Sequence, residues 1–146
     1  MKLLLLLACL ATIPMKGITE EKLPPYRQIS SIEVVFTTTA GVKPDDTALD
    51  IQFKTAAKDM IASKSGQFGK FEKNTSNAVD LEVQGTYSDK DLPNSSLNLH
   101  VIPTGAPNWN FDIEVTIIWS NGNHTLANAS SYSLAQNGND IEVSLF

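Results

Sequence analysis

From Trp109 to Trp119 every second residue is large and apolar: Trp109, Phe111, Ile113, Val115, Ile117 and Trp119, with Asn110, Asp112, Glu114 and Thr116 between them. A strand turns successive side chains to opposite faces, so a two-residue period held over this length puts six large side chains on one face. A helix would scatter the same residues around its circumference. The segment therefore reads as a long strand with one buried face, and a strand of that kind requires a sheet to receive it.

The rest of the chain repeats the pattern on a smaller scale. Ile32, Val34 and Phe36 alternate with Glu33 and Val35 and run into three threonines; Leu49, Ile51 and Phe53 alternate with Asp50 and Gln52. Val79, Leu81 and Val83, then Leu97, Leu99 and Val101, do the same, and Leu126–Leu134 and Ile141–Leu145 complete the set. Lys58–Ser63 fits either a short strand or a helical turn, because Thr55, Ala56, Ala57 and Lys58 have fair helix propensity; we read it as a strand. Asn-Gly pairs at 121–122 and 137–138 mark hairpin turns. About eight strands joined by short polar turns imply antiparallel pairing, because parallel pairs need long crossovers. The expected fold is all-β, a two-layer antiparallel β-sandwich with one polar face per strand turned outward.

The first residues differ from everything after them. Met1 and Lys2 precede Leu3–Leu7, Ala8, Cys9, Leu10 and Ala11, a basic start followed by an apolar run of secretory-leader length, too short to span a bilayer. With Pro14 breaking the run and small residues at Ala11 and Gly17, residues 1–17 read as a signal peptide, 18–28 as an extended lead-in around Pro24 and Pro25, and 29–146 as one domain. The expected location is secreted or extracellular. Leu6, Leu7, Ala8 and Cys9 also resemble a lipobox, which would make Cys9 a lipid anchor. Cys9 is the single cysteine, so the exported chain would hold no disulfide and no cysteine-ligated metal. Loss of residues 1–17 removes Lys2 and Lys16 and takes the net charge from −5 to −7. With Arg27 the lone arginine and no basic run, the composition argues against nucleic-acid binding, which rests on neutralising phosphates.

Residues that carry common catalytic chemistry are sparse. There is no Gly-x-Ser-x-Gly elbow, no glycine-rich phosphate loop and no His-Glu-x-x-His pair. His100 falls on the polar parity of its strand and His124 in a turn, as solvated side chains would. The chain is therefore expected to be non-catalytic, with a small carbohydrate-active enzyme using paired carboxylates such as Asp45 and Asp46 as an alternative. Calcium is the sharper possibility: Asp45, Asp46, Asp89, Asp91 and Asp140 all fall in turns, and calcium takes loop carboxylates and carbonyls. Asp is also a good turn former in its own right, which accounts for the same positions without metal. Phe68 and Phe71, in the loop Ser65–Lys73, are candidate exposed contacts for a ligand or bilayer, whereas the shared parity of Trp109 and Trp119 places them in the core. Asn74, Asn94, Asn123 and Asn128 each open an Asn-x-Ser/Thr sequon and are candidate glycosylation sites in a eukaryotic secretory pathway.

Ser31-Ile-Glu-Val-Val-Phe-Thr-Thr-Thr, a loop, then Pro44-Asp-Asp-Thr-Ala-Leu-Asp-Ile-Gln-Phe resembles the opening of PLAT/LH2 (lipoxygenase-homology) domains. The resemblance covers about 25 residues. It implies a two-sheet β-sandwich, sometimes calcium-binding, that docks on membranes or protein partners, with Asp45 and Asp46 as the metal positions carried over. Gly41 alone stands for the glycines expected in that loop, and Lys43 and Pro44 replace its usual small residues. The function expected is a secreted binding module meeting a lipid surface or protein partner through its loops, with calcium as an optional aid; the alternative is a structural or adhesive surface protein.

Overall fold

Every alternating segment forms a strand. The computed structural model describes residues 26–102, 108–134 and 140–146; the leader, Cys9 and residues 18–25 of the lead-in lie outside the described residues. The strands are β1 (Ile29–Ala40), β2 (Ala48–Lys54), β3 (Met60–Gly66), β4 (Ser76–Val83), β5 (Ser96–Ile102), β6 (Trp109–Trp119), β7 (His124–Leu134) and β8 (Asp140–Ser144), with one 3₁₀ turn at Asp89–Asp91. The ambiguous segment resolves as β3, which starts at Met60. The residues before it close a tight turn: Thr55 N–H donates to Asp59 O at 3.0 Å, Thr55 Oγ1 accepts from Asp59 N–H at 3.1 Å, and Lys58 takes a φ of 70°. These local bonds compete with helix formation and win.

The eight strands form one antiparallel sheet in the order β7-β6-β1-β4-β3-β2-β5-β8, curled nearly to closure as a barrel. β1 lies between β4 and β6, with Val34 opposite both Val79 and Val115. The continuity is narrowest at β3–β4, where just Ala62↔Val83 and Ser63↔Glu82 pair. β7 and β8 are the two ends of the sheet, and no ladder joins them among the described residues.

The core follows the parity. All six of the alternating residues of β6 are buried, together with Ile32, Val34 and Phe36 of β1, Ile51 and Phe53 of β2, and Leu97 and Leu99 of β5. Both tryptophans belong to it, and each satisfies its indole N–H: Trp109 Nε1 donates to Thr38 Oγ1 at 3.0 Å and Trp119 Nε1 to Thr125 Oγ1 at 2.9 Å. Among the described residues no helix is long and apolar enough to cross a membrane.

Adjacent isoleucines on β6 test the parity. Ile117 is fully buried and Ile118 is 38% exposed. Ile117→Ala is expected to cost about 2–5 kcal/mol by urea unfolding, and Ile118→Ala less than about 1 kcal/mol. Equal costs would contradict the alternation.

Candidate functional site

Because every strand runs antiparallel to its neighbours, the connections sort to two ends. The β1–β2 and β3–β4 loops meet at one end, where Thr38 N–H donates to Thr75 O at 3.0 Å and Asn74 N–H to Thr38 O at 2.8 Å. The β4–β5 connection and the β6–β7 turn lie at the other, where Ile29 N–H donates to Tyr87 O and Ser120 N–H to Gln28 O.

At the first end the two loops are clamped together through one residue. Lys43 and Phe71 form an isolated antiparallel bridge, each donating its N–H to the other's carbonyl, at 3.1 and 2.9 Å. The Lys43 side chain then turns inward, leaving the residue 1% exposed. Its ammonium donates to Pro44 O at 2.9 Å, Thr47 O at 3.0 Å and Gln67 O at 2.5 Å. Three donors meet three carbonyls from both loops, and the Nζ lies 4.9 Å from the centre of the Phe71 ring. Burial lowers the Lys43 pKa from its ordinary 10.5, and the charges of Asp45 and Asp46 offset part of that fall. Gly41 lets the β1–β2 loop also lie against Asn108, just ahead of β6, since its φ is 71° and a Cβ there would lie 2.1 Å from Asn108 O.

Phe71 is 2% exposed, which corrects its reading as an exposed tip. It packs in an aromatic cluster with Phe36 at 6.0 Å and Trp109 at 5.6 Å between ring centres, because the bridge to Lys43 pulls its backbone over the mouth of the sheet. Phe68 is half-buried against the same core. What this end does expose is charge: Asp45 and Asp46 at the tip of the β1–β2 loop, and Lys70 paired with Glu72 at 2.6 Å on the β3–β4 loop.

The five aspartates do not converge. Asp45 and Asp46 lie at the Lys43 end, and Asp89 and Asp91 at the opposite end. There Asp89 meets Arg27 at 3.4 Å, and Asp91 accepts from Ser88 N–H at 2.7 Å, closing the 3₁₀ turn. Asp140 opens β8 and contacts His100 Nδ1 at 2.5 Å. No group of three or more His, Cys, Asp or Glu among the described residues is placed to hold a metal ion. The Lys43 loop offers the carbonyl oxygens that calcium takes, but an ammonium already occupies them, so this donor set does not fit calcium as built. The sequence marked Lys43 as a departure from the PLAT pattern without disclosing that the lysine is itself the loop's cation.

Elsewhere, His100 and His124 are exposed as expected, though His100 has a partner in Asp140. Register lines up Ser65, Asp50, His100 and Asp140 across β3, β2, β5 and β8, on the outer face, beside a shallow depression of about 350 Å³ lined by Gln52, Lys54 and Asn98 as well. This row was invisible in the sequence, because β2, β5 and β8 become neighbours through the fold alone. The sequon residues Asn74, Asn94, Asn123 and Asn128 are all exposed; Asn74 and Asn94 adopt positive φ in turns, while Asn128 lies within β7. In comparisons with known proteins, no family, no curated protein and no solved structure matches this chain.

Lys43→Met keeps the buried stem and removes the donors. It is expected to lower stability by about 2–4 kcal/mol, because it takes a charged donor from three carbonyls. The pH dependence has a definite sign. In the window below 10.5 the unfolded chain holds a proton on Lys43 that the folded chain sheds more readily, so this group's contribution to stability increases as pH rises towards 10.5. The neutral amine still donates to the carbonyls while shedding the cost of a buried charge. Unfolding free energies measured between about pH 8 and 10 should therefore show a more positive slope for the natural chain than for Lys43→Met. Parallel slopes would refute the assignment.

Proposed function

We propose that the chain is a secreted, non-catalytic binding module of PLAT-like layout, which meets a protein partner through the rigid loop end around Lys43. The observation that carries this reading is the ammonium cage. It fixes the β1–β2 and β3–β4 loops to each other, so little ordering entropy remains to be lost when a partner docks on them. The β1–β2 loop presents Asp45 and Asp46 outermost, beside the Lys70–Glu72 pair, and suits a basic group on the partner. A lipid surface is a poorer fit, since Phe71 is buried and Phe68 half-buried, which leaves this end without an apolar tip to insert.

In this reading the sheet works as a two-layer sandwich. Strands β7, β6, β1 and β4 form one layer and β3, β2, β5 and β8 the other, hinged at the short β3–β4 pairing. Calcium is not required, because Lys43 supplies the positive charge that a loop metal would bring. The polar row Ser65, Asp50, His100 and Asp140 favours a second reading, an adhesive surface protein, since a flat hydrogen-bonding face free of the four sequons suits contact with another surface.

Two measurements separate these. The melting temperature of residues 18–146 is expected to be the same in millimolar calcium and in chelator, and the chain to stay in the supernatant with anionic vesicles under both conditions. A calcium-dependent rise of several degrees that is abolished in Asp45→Asn with Asp46→Asn would restore the metal site and the lipid partner. Capture of a partner that weakens with salt and is lost in the same double variant, at unchanged melting temperature, is the result expected of the loop end.

A further inference from the structure

The two edges of the sheet are built differently. β8 spans five residues, and its edge carries Asp140 and Glu142, held by His100 and Lys58. Short length and inward-tied charge are the usual means by which a sheet edge avoids adding another strand. β7 has neither. It runs eleven residues, His124-Thr-Leu-Ala-Asn-Ala-Ser-Ser-Tyr-Ser-Leu, with no lysine, arginine, aspartate or glutamate. Among the described residues its one ladder is to β6, and no ladder covers its far side, which approaches β8. Between Phe111 and Ile113 the β6–β7 register shifts, and Ser131 takes a φ of 67°, so the regular part of the edge is His124–Ala129.

From this asymmetry we infer that β7 pairs edge to edge, antiparallel, with β7 of a second copy of this chain. Self-pairing about a two-fold axis requires no complementary sequence, since one patch serves both partners. An axis at Leu126 sets Leu126 against its own copy, Thr125 against the second Ala127, and His124 against the second Asn128. Leu126 is 50% exposed, and with Ile118, Thr116, Gly122 and His124 it borders a shallow depression without a carboxylate. A chain of net charge −5 approaches itself most easily where it carries no negative charge. The nearest acid in register is Glu114, opposite Asn128. In the paired arrangement it lies in one row with the second copy's His124. The pairing would join two layers of β7, β6, β1 and β4 into one continuous sheet.

The test is sedimentation of the exported chain carrying Asn128→Gln, so that no glycan can occupy the edge, at concentrations up to about 100 µM. The expected result is a monomer–dimer equilibrium, with amide exchange across 124–129 slowing as the dimer fills. Adding Leu126→Lys, at an exposed position, is expected to return the chain to monomer without lowering the melting temperature of dilute protein. A monomer at every concentration overturns the inference. A dimer unaffected by Leu126→Lys, or one whose exchange protection lies away from β7, overturns it as well.

Discussion

The inward face of β6 organises the fold. Its six large side chains can be removed from water only if sheet surrounds them, and β1 on one side and β7 on the other supply the backbone partners. Fully burying each such side chain contributes roughly 1.5–3 kcal/mol. That gain is realised in one register alone, because a shift of one residue would turn Trp109, Phe111, Ile113, Val115, Ile117 and Trp119 to solvent together. The remaining strands close over this face, with Phe36 and Phe71 packed against Trp109 at one mouth and Arg27 lying 4.9 Å from the centre of the Trp119 ring at the other.

A buried ammonium is costly unless its donors are matched, and Lys43 shows how the match is made. Neither loop could supply the site alone. Pro44 and Thr47 come from the β1–β2 loop, Gln67 from the β3–β4 loop, and the Lys43–Phe71 bridge sets the spacing between them. The result is a loop end held by polar contacts over an apolar floor. Its exposed charge is carried by the Lys70–Glu72 pair and by Asp45 and Asp46, whose negative charge also helps keep the lysine protonated. The same economy appears across the molecule: Asp89 is tied to Arg27, Asp91 to the turn it closes, and Glu142 to Lys58, which holds the Glu142 carboxyl below its usual range.

The sequence by itself determined every strand but β3, and what each alternating strand buries. The two-residue period is a local property, written in residues such as Ile32, Val34 and Phe36, and the structure needs no long-range information to honour it. The core placement of both tryptophans and the outward placement of His100 follow from the same parity. Tertiary structure alone decided which residues meet. Asp50, His100 and Asp140 share a row because the order β2-β5-β8 makes neighbours of residues fifty and forty positions apart in the chain. Phe71, in a polar glycine-bearing loop, reads as an exposed tip until the bridge to Lys43 draws it inward, and Lys43 reads as a solvated lysine until three carbonyls from two loops surround it. Five turn aspartates look alike in the chain, yet antiparallel alternation sends Asp45 and Asp46 to one end and Asp89 and Asp91 to the other. Burial is legible from periodicity because it depends on one strand, whereas a site depends on the order of all of them.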